Sequence, residues 1–408
     1  MTIAIRSRLS LMMFLEFFIW GGWFVTLGTY LAKNLSANGP ESAMVFGTQS
    51  WGAIIAPFII GLIADRFFNA EKILGILQLV GAVLMYQLSQ TTAFDAFYPY
   101  VLGYMIAYMP TLSLVNSVSF NQMKDPAKDF PSIRVWGTIG WITAGLAISF
   151  LFHWDSAEGI KTGLLKNTFL MTAIASAVLG LYSFTLPRTP PKAKAGEMSL
   201  TEVLGLDALK LLGSRNFLVF FISSVLICIP LAFYYQNANL FLSETGMENS
   251  TGIMTIGQLS EVGFMLLLPF FFKRFGIKAT LAVGMLAWAV RYLLFAYGNS
   301  GDLSFMLITG IALHGICYDF FFVSGQIYTD SKAGDKNKSA AQGLITFATY
   351  GVGMLIGFWI VGVVTLRDTD LFPVADWRAI WQFPAFFALG VLLLFLLVFK
   401  NEKIDYKA

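Results

Sequence analysis

Charge is scarce in this chain: Asp, Glu, Lys and Arg make up 12% of its 408 residues, against about 25% in a soluble domain. A chain so poor in charge cannot clothe a water-facing surface. Cysteine and histidine are scarce too, at two residues each, which leaves no disulfide framework and no His/Cys metal cluster to read. Cys228 and Cys317 lie inside apolar runs and read as core residues. His153 and His314 are far apart, and the chain has neither a Ser-His-Asp set nor a Gly-rich phosphate loop. An enzyme is therefore not the expected reading, and ATP-driven transport would need a separate subunit. A net charge of +3, with the basic residues scattered among loops, gives nucleic acid nothing to hold. No cofactor is expected beyond a coupling proton.

What the chain has in abundance is apolar surface, 57% of its residues, with a mean hydropathy of +0.69. The apolar residues come in continuous runs of about 20, enough to cross a hydrocarbon layer of about 30 Å as helix. A transmembrane barrel would show alternating segments of about ten residues, so the expected fold class is an all-α polytopic membrane protein. Twelve spans are predicted, at about 9–32, 43–66, 72–92, 97–121, 133–153, 165–187, 216–242, 252–273, 278–298, 303–329, 339–365 and 379–400. The first follows Arg6 and Arg8, but at about 22 apolar residues and without a small-residue cleavage site it reads as a spanning helix, not a secretory signal.

An even number of spans places both termini on one side of the membrane. That side carries 21 of the 27 Lys and Arg residues, the opposite side carries 5, and Arg291 lies within a span. Cytoplasmic loops are enriched in Lys and Arg, so both termini are expected in the cytoplasm of a multi-pass protein of the cytoplasmic membrane. The longest connection, 188–215, opens with a Pro- and Lys-rich stretch and continues into an amphipathic segment, LTEVLGLDALKLLG. It divides the chain into an expected N-terminal six-helix bundle, 1–187, a cytoplasmic linker, 188–215, and a C-terminal six-helix bundle, 216–408. A weak internal repeat agrees: Gly61-x-x-x-Asp65-Arg66 recurs 208 residues later as Pro269-x-x-x-Lys273-Arg274. Repeated six-helix halves around a site near the midplane are the layout of an alternating-access transporter.

The stretch GLIADRFFNAEK, 61–72, resembles the loop signature of the major facilitator superfamily, although the Gly and Arg that follow Asp-Arg in that signature are missing. The resemblance narrows at IWGGWFVTLGTY (19–30), YMPTLSLVN (108–116), DFPSIRVWGTIGW (129–141), IGQLSEVGFMLLLPFFFKRFGIK (256–278) and GICYDFFFVSG (315–325), which are similar to the nucleoside:proton symporter family. The resemblance implies twelve helices in two bundles and import of a nucleoside with a proton. It also implies that Asp65 and Arg66 act as a conformational latch at the cytoplasmic helix ends, the alternative being solvated loop charges.

An ionisable group in mid-span costs about 2.5–3.5 kcal/mol on insertion scales and is kept where it meets a cavity or a partner. Glu16, Glu261, Arg291 and Asp319 are such groups. Gln258 and Glu261 share a helical face; the resemblance implies that they bind the nucleoside, with the carboxylate accepting from ribose hydroxyls, and the alternative is a structural pairing with another helix. Tyr318 and Asp319 follow His314 along one span. The resemblance implies that the aromatic touches ligand and that the acid is functional; the alternative is an Asp319–Arg291 ion pair. Arg134, Thr138 and Trp141 lie along one helical stripe, and the resemblance implies substrate contact there. A planar donor fork and a ring suit a nucleobase, whereas the alternative for Arg134 is an anchor near Asp129.

Glu16 stands where the resembled family can have Gln, so it is either a further protonatable group or a structural pair. Glu261, Asp319 and Glu16 are thus the proton-coupling candidates. In the seventh span the family can place Gln and Asn toward the base, whereas Ala232 and Tyr235 stand here. Tyr235 joins the candidate site, and an amino sugar or cell-wall glycoside becomes the alternative substrate; a non-transporting receptor is the distant one. The expected partners are a small solute and the lipid bilayer, with a monomer as the expected state.

Overall fold

The computed structural model describes residues 2–59, 68–123, 129–190, 206–365 and 376–402. Secondary structure among them is helical throughout. In chain order the long helices are α1 (Ile3–Gly21), followed by the short helix Leu27–Lys33, then α2 (Gly39–Ile59), α3 (Ala70–Gln90), α4 (Phe94–Asn121), α5 (Pro131–Leu151) and α6 (Leu164–Ser183). The second half has α7 (Arg215–Glu244), the pair α8 and α9 running together as Ser250–Tyr297, then α10 (Ser304–Ala333), α11 (Ala340–Val364) and α12 (Trp377–Val398).

The 48 residues of Ser250–Tyr297 would make a rod of about 70 Å at 1.5 Å per residue. Gly276 prevents this: its φ of 74° and ψ of 176° break the helix in a backbone region that side chains disfavour. Spans eight and nine of the sequence reading part there. Nine stretches among the described residues are long and apolar enough to cross a membrane, with α8 and α9 taken as one. α1 and α2 are not among them; α1 carries Arg6, Arg8 and Glu16. Large apolar side chains stand exposed along these helices, Leu397 at 85% and Leu266 at 78%, as suits a surface whose solvent is lipid.

The helix ends follow local chemistry. Thr2 caps α1 by accepting from the Ile5 amide, and Asp376 caps α12 by accepting from the Ala379 amide at 3.0 Å. Pro131 begins α5, where its missing N–H has no partner to lose.

The chain divides into two compact units, one of Met1–Ala37, Met44–Leu204 and Glu248–Gly252, the other of Asn38–Ala43, Gly205–Met247 and Ile253–Ala408. In the first unit, small residues let α1 lie almost backbone to backbone on α5: a Cβ at Gly140 would come 2.1 Å from the Phe14 carbonyl oxygen. In the second, a Cβ at Gly315 would come 2.5 Å from the Ser260 carbonyl carbon, so α10 approaches α8 at the turn before Glu261. Lipid offers apolar surface as readily as a neighbouring helix does, so close packing of this kind holds spans together.

Among the described residues three spans contain a π-helical segment: Ala147–Leu151 in α5, Tyr318–Val323 in α10 and Phe347–Gly353 in α11. Such segments bulge the helix and re-aim its side chains, and they recur at functional sites.

Candidate functional site

In the first unit α1, α3, α4 and α5 bring their polar residues together. Glu16 is fully buried. Its Oε2 accepts from Gln78 Nε2 at 2.8 Å, and its Oε1 lies 2.6 Å from Thr111 Oγ1. Tyr108 donates its hydroxyl to the Glu16 backbone carbonyl at 2.7 Å. No cation among the described residues pairs with this carboxyl.

Beside this cluster the stripe expected on α5 is present. Arg134, Thr138 and Trp141 are each half-buried. The Arg134 guanidinium lies over the Phe17 ring, 4.1 Å from its centroid, and makes no ion pair with Asp129 or any other described carboxylate. The anchoring alternative is therefore not what the structure shows: the cation rests on a ring, leaving its planar donors uncommitted. Trp141 meets Trp20 edge-on at 5.6 Å, and Trp20 meets Tyr108 at 5.8 Å, so this aromatic wall continues from α5 through α1 to α4.

In the second unit the site gathers from α7, α8, α10 and α11. Glu261 and Gln258 are half-buried, one turn apart on α8. Asp319 is fully buried on the π segment of α10 and interacts electrostatically with Glu261. Neither Asp319 oxygen has a hydrogen-bond partner among the described residues. Tyr235 of α7 is close enough to Tyr318 and Glu261 to interact with both, and Tyr350, on the π segment of α11, shares a side-chain hydrogen bond with Tyr318. The sequence-derived set Tyr235, Glu261, Tyr318 and Asp319 thus converges.

The Asp319–Arg291 ion pair is not formed. Arg291 is fully buried, lies 3.5 Å from the Tyr234 ring centroid, and points Nη1 at His314 Nδ1, 3.2 Å away. A guanidinium only donates, so Nδ1 accepts and the imidazole is neutral with its hydrogen on Nε2. The reason for the separation is helical phase: five residues from His314 to Asp319 turn about 140° around the helix, so α10 shows the imidazole to Arg291 and the carboxyl to Glu261. His314 stacks between Tyr234 and Tyr318, at 5.6 and 6.0 Å.

Sequence reasoning missed Gln78 and Thr111, which complete the Glu16 cluster, and Tyr350, which meets Tyr318. Gln78 had a readable signal, an amide inside an apolar run; Tyr350 became relevant only through the π segments. Ala232 is buried, with its Cβ 2.7 Å from where a Cβ at Gly357 of α11 would sit, so that position is packing while Tyr235 reaches the site. Both cysteines are buried free thiols. Asp65 and Arg66, the expected latch, lie outside the described residues.

The chain matches the family described as Nucleoside H+ symporter over residues 1–404. The crystal structure of a variant of the nucleoside transporter NupG superposes with a TM-score of 0.89 at 30% identity, covering 97% of this chain and 100% of that one. YegT of Escherichia coli (strain K12) is 45% identical across 97% of this chain and 94% of its own length. Xanthosine permease of the same organism is 33% identical across 100% and 99%. The structure of the POT family transporter PepTSo, at 15% identity and a TM-score of 0.75, shares the fold alone.

Fold and site together define a secondary transporter with the major facilitator fold, twelve spanning helices in two six-helix bundles. It is not an enzyme. The chain belongs to the nucleoside H+ symporter family.

Proposed function

We propose that this chain imports a nucleoside together with a proton across the cytoplasmic membrane by alternating access. The observation that carries the reading is the pair Glu261 and Asp319, held together by the close approach at Gly315, with both Asp319 oxygens lacking a donor among the described residues. A buried carboxyl with no donor among the described residues, set beside a second acid, suits a ligand that brings hydroxyl donors, as a ribose does. Tyr235 and Tyr318 supply ring faces, and Gln258 an amide one turn from Glu261. On the first unit, Arg134, Thr138 and Trp141 supply a donor fork, a hydroxyl and an indole.

The coupling proton belongs to the set Glu261, Asp319 and Glu16, because a carboxyl closed off from water is far less costly to bury neutral than charged. The bundles are 1–187 and 216–408 with the linker 188–215 between them, both termini cytoplasmic by the distribution of Lys and Arg. Asp65 and Arg66 keep the role of latch, and the working unit is a monomer in the lipid bilayer.

The test is uptake of labelled uridine and adenosine into proteoliposomes with and without an inward proton gradient. Gradient-dependent accumulation of either is the expected result; no uptake by folded protein overturns the substrate. The second reading is another glycoside, favoured by α7, where Ala232 is taken up in packing and Tyr235 offers a phenol in place of an amide. Competition by amino sugars against nucleoside binding separates the two.

A further inference from the structure

The Glu16 cluster can be read by counting hydrogens. Thr111 Oγ1 has one hydrogen, yet it lies 2.6 Å from Glu16 Oε1 and 2.5 Å from the backbone carbonyl oxygen of Tyr108. Both neighbours are acceptors if the carboxyl is ionised, and one hydrogen cannot serve two such short contacts. If the carboxyl is protonated at Oε1, the short contacts are satisfied in one chain: Glu16 O–H donates to Thr111 Oγ1, Thr111 donates to the Tyr108 carbonyl, Gln78 Nε2 donates to Glu16 Oε2 and lies 3.4 Å from Thr111 Oγ1, and the Tyr108 hydroxyl beside the carboxyl donates to the Glu16 backbone carbonyl. Turning the Gln78 amide over would set its oxygen against Oε2 and call for a proton there, while leaving the Thr111 count unmet, so the amide is oriented with its nitrogen toward the carboxyl. In that orientation the hydrogen sits on Glu16 Oε1.

The surroundings agree. Tyr104 and Tyr108 of α4 face the carboxyl, their rings stacked at 5.4 Å. Arg134 of α5 acts on Tyr108 while its guanidinium lies over Phe17. Gln78 faces from α3, and the α6 phenol Tyr182 is engaged with the Arg8 carbonyl near the start of α1. Buried and without a cation to pair with, an ionised Glu16 would be an uncompensated charge in a low-dielectric interior.

We propose that Glu16 is a proton-binding site of the first unit, loaded in this conformation, with Thr111 and Gln78 as the groups that position it. This rests on the symport reading for its role but not for its chemistry. When the proton leaves to solvent, the Thr111 hydrogen turns from the Tyr108 carbonyl to the carboxylate, so the tie between α1 and α4 changes partners as the charge appears. A proton bound here is thereby coupled to how these two helices are held.

Infrared spectroscopy of the whole protein in lipid, recorded across pH without substrate, reads the proton directly. Wild type is expected to show a protonated-carboxyl carbonyl band at neutral pH that Glu16→Gln lacks. Thr111→Val, which removes the acceptor, is expected to move the band to higher frequency, and Thr111→Ser to leave it in place. If Glu16→Gln folds poorly, the Thr111 pair still decides. A band that is identical in wild type and Glu16→Gln, or unmoved by Thr111→Val, overturns the proposal. In proteoliposomes Glu16→Gln is expected to lose gradient-driven accumulation and keep exchange; wild-type accumulation would also overturn the coupling. Because the infrared measurement needs no solute, failure of the nucleoside reading leaves it standing.

Discussion

Glu16 and Asp319 are both carboxyls with no exposed surface, one in each unit, and the protein treats them in opposite ways. Glu16 is enclosed by an amide and a hydroxyl from two other helices, and its network closes on itself once a hydrogen is counted in. Asp319 lies on a helical bulge beside a second acid, with neither of its own oxygens answered among the described residues. Buried polar atoms normally have partners. A closed network stores a small ligand such as a proton, whereas an open one calls for donors from a ligand that arrives. Burial alone does not define a carboxyl's task; its partners do.

The strongest way to break this comparison is to remove Asp319 or the acid beside it. Asp319→Asn and Glu261→Gln each take away charged acceptors, and a hydrogen bond to a charged group is worth about 1.5–3 kcal/mol, or about tenfold to a hundredfold in affinity. Equilibrium binding of labelled nucleoside should fall by that factor in both. Glu16→Gln should bind within a few-fold of wild type, and equal losses in all three would erase the distinction.

Gly315→Ala acts next. Its methyl would meet the backbone at Ser260, and overpacking of this kind costs about 1–3 kcal/mol. Thermal unfolding in detergent should show the destabilisation, and binding should weaken as α10 moves off α8. The Glu16 infrared band should stay where it is; a change there would mean that the two clusters are not independent.

How much of this was legible beforehand depends on what each residue reports about itself. The twelve apolar runs announce helices because lipid leaves the backbone no other partner, and Gly276 falls between the two runs that the structure joins. Glu16, Glu261, Arg291 and Asp319 stand out because charge in an apolar run is costly. Their partners were harder to read. Arg291 and Asp319 are both unpaired candidates in the same half, and only the turn of α10 between His314 and Asp319 shows that they face different neighbours. Thr111 looks like many other helical hydroxyls until α1 is placed against α4. Tyr350 depends on π segments, which the repeat of apolar residues does not encode.

Two smaller effects sharpen the picture. Arg134→Lys replaces a planar fork stacked on Phe17 by a point charge; ring–cation contacts of this kind contribute about 0.5–2 kcal/mol, so affinity should drop from a few-fold to about thirtyfold while accumulation remains gradient-dependent. Tyr350→Phe removes only the hydroxyl that meets Tyr318, worth about 0.5–1.5 kcal/mol, and should weaken binding by about two- to tenfold in the same assay.

The most direct measurement compares Glu16→Gln with Asp319→Asn in proteoliposomes, following labelled uridine in two modes: accumulation driven by an inward proton gradient, and exchange at equal internal and external concentration. The account predicts that Glu16→Gln exchanges but does not accumulate, and that Asp319→Asn does neither at wild-type substrate levels. Exchange preserved in Asp319→Asn but lost in Glu16→Gln would contradict it, reversing which carboxyl serves the proton and which the solute.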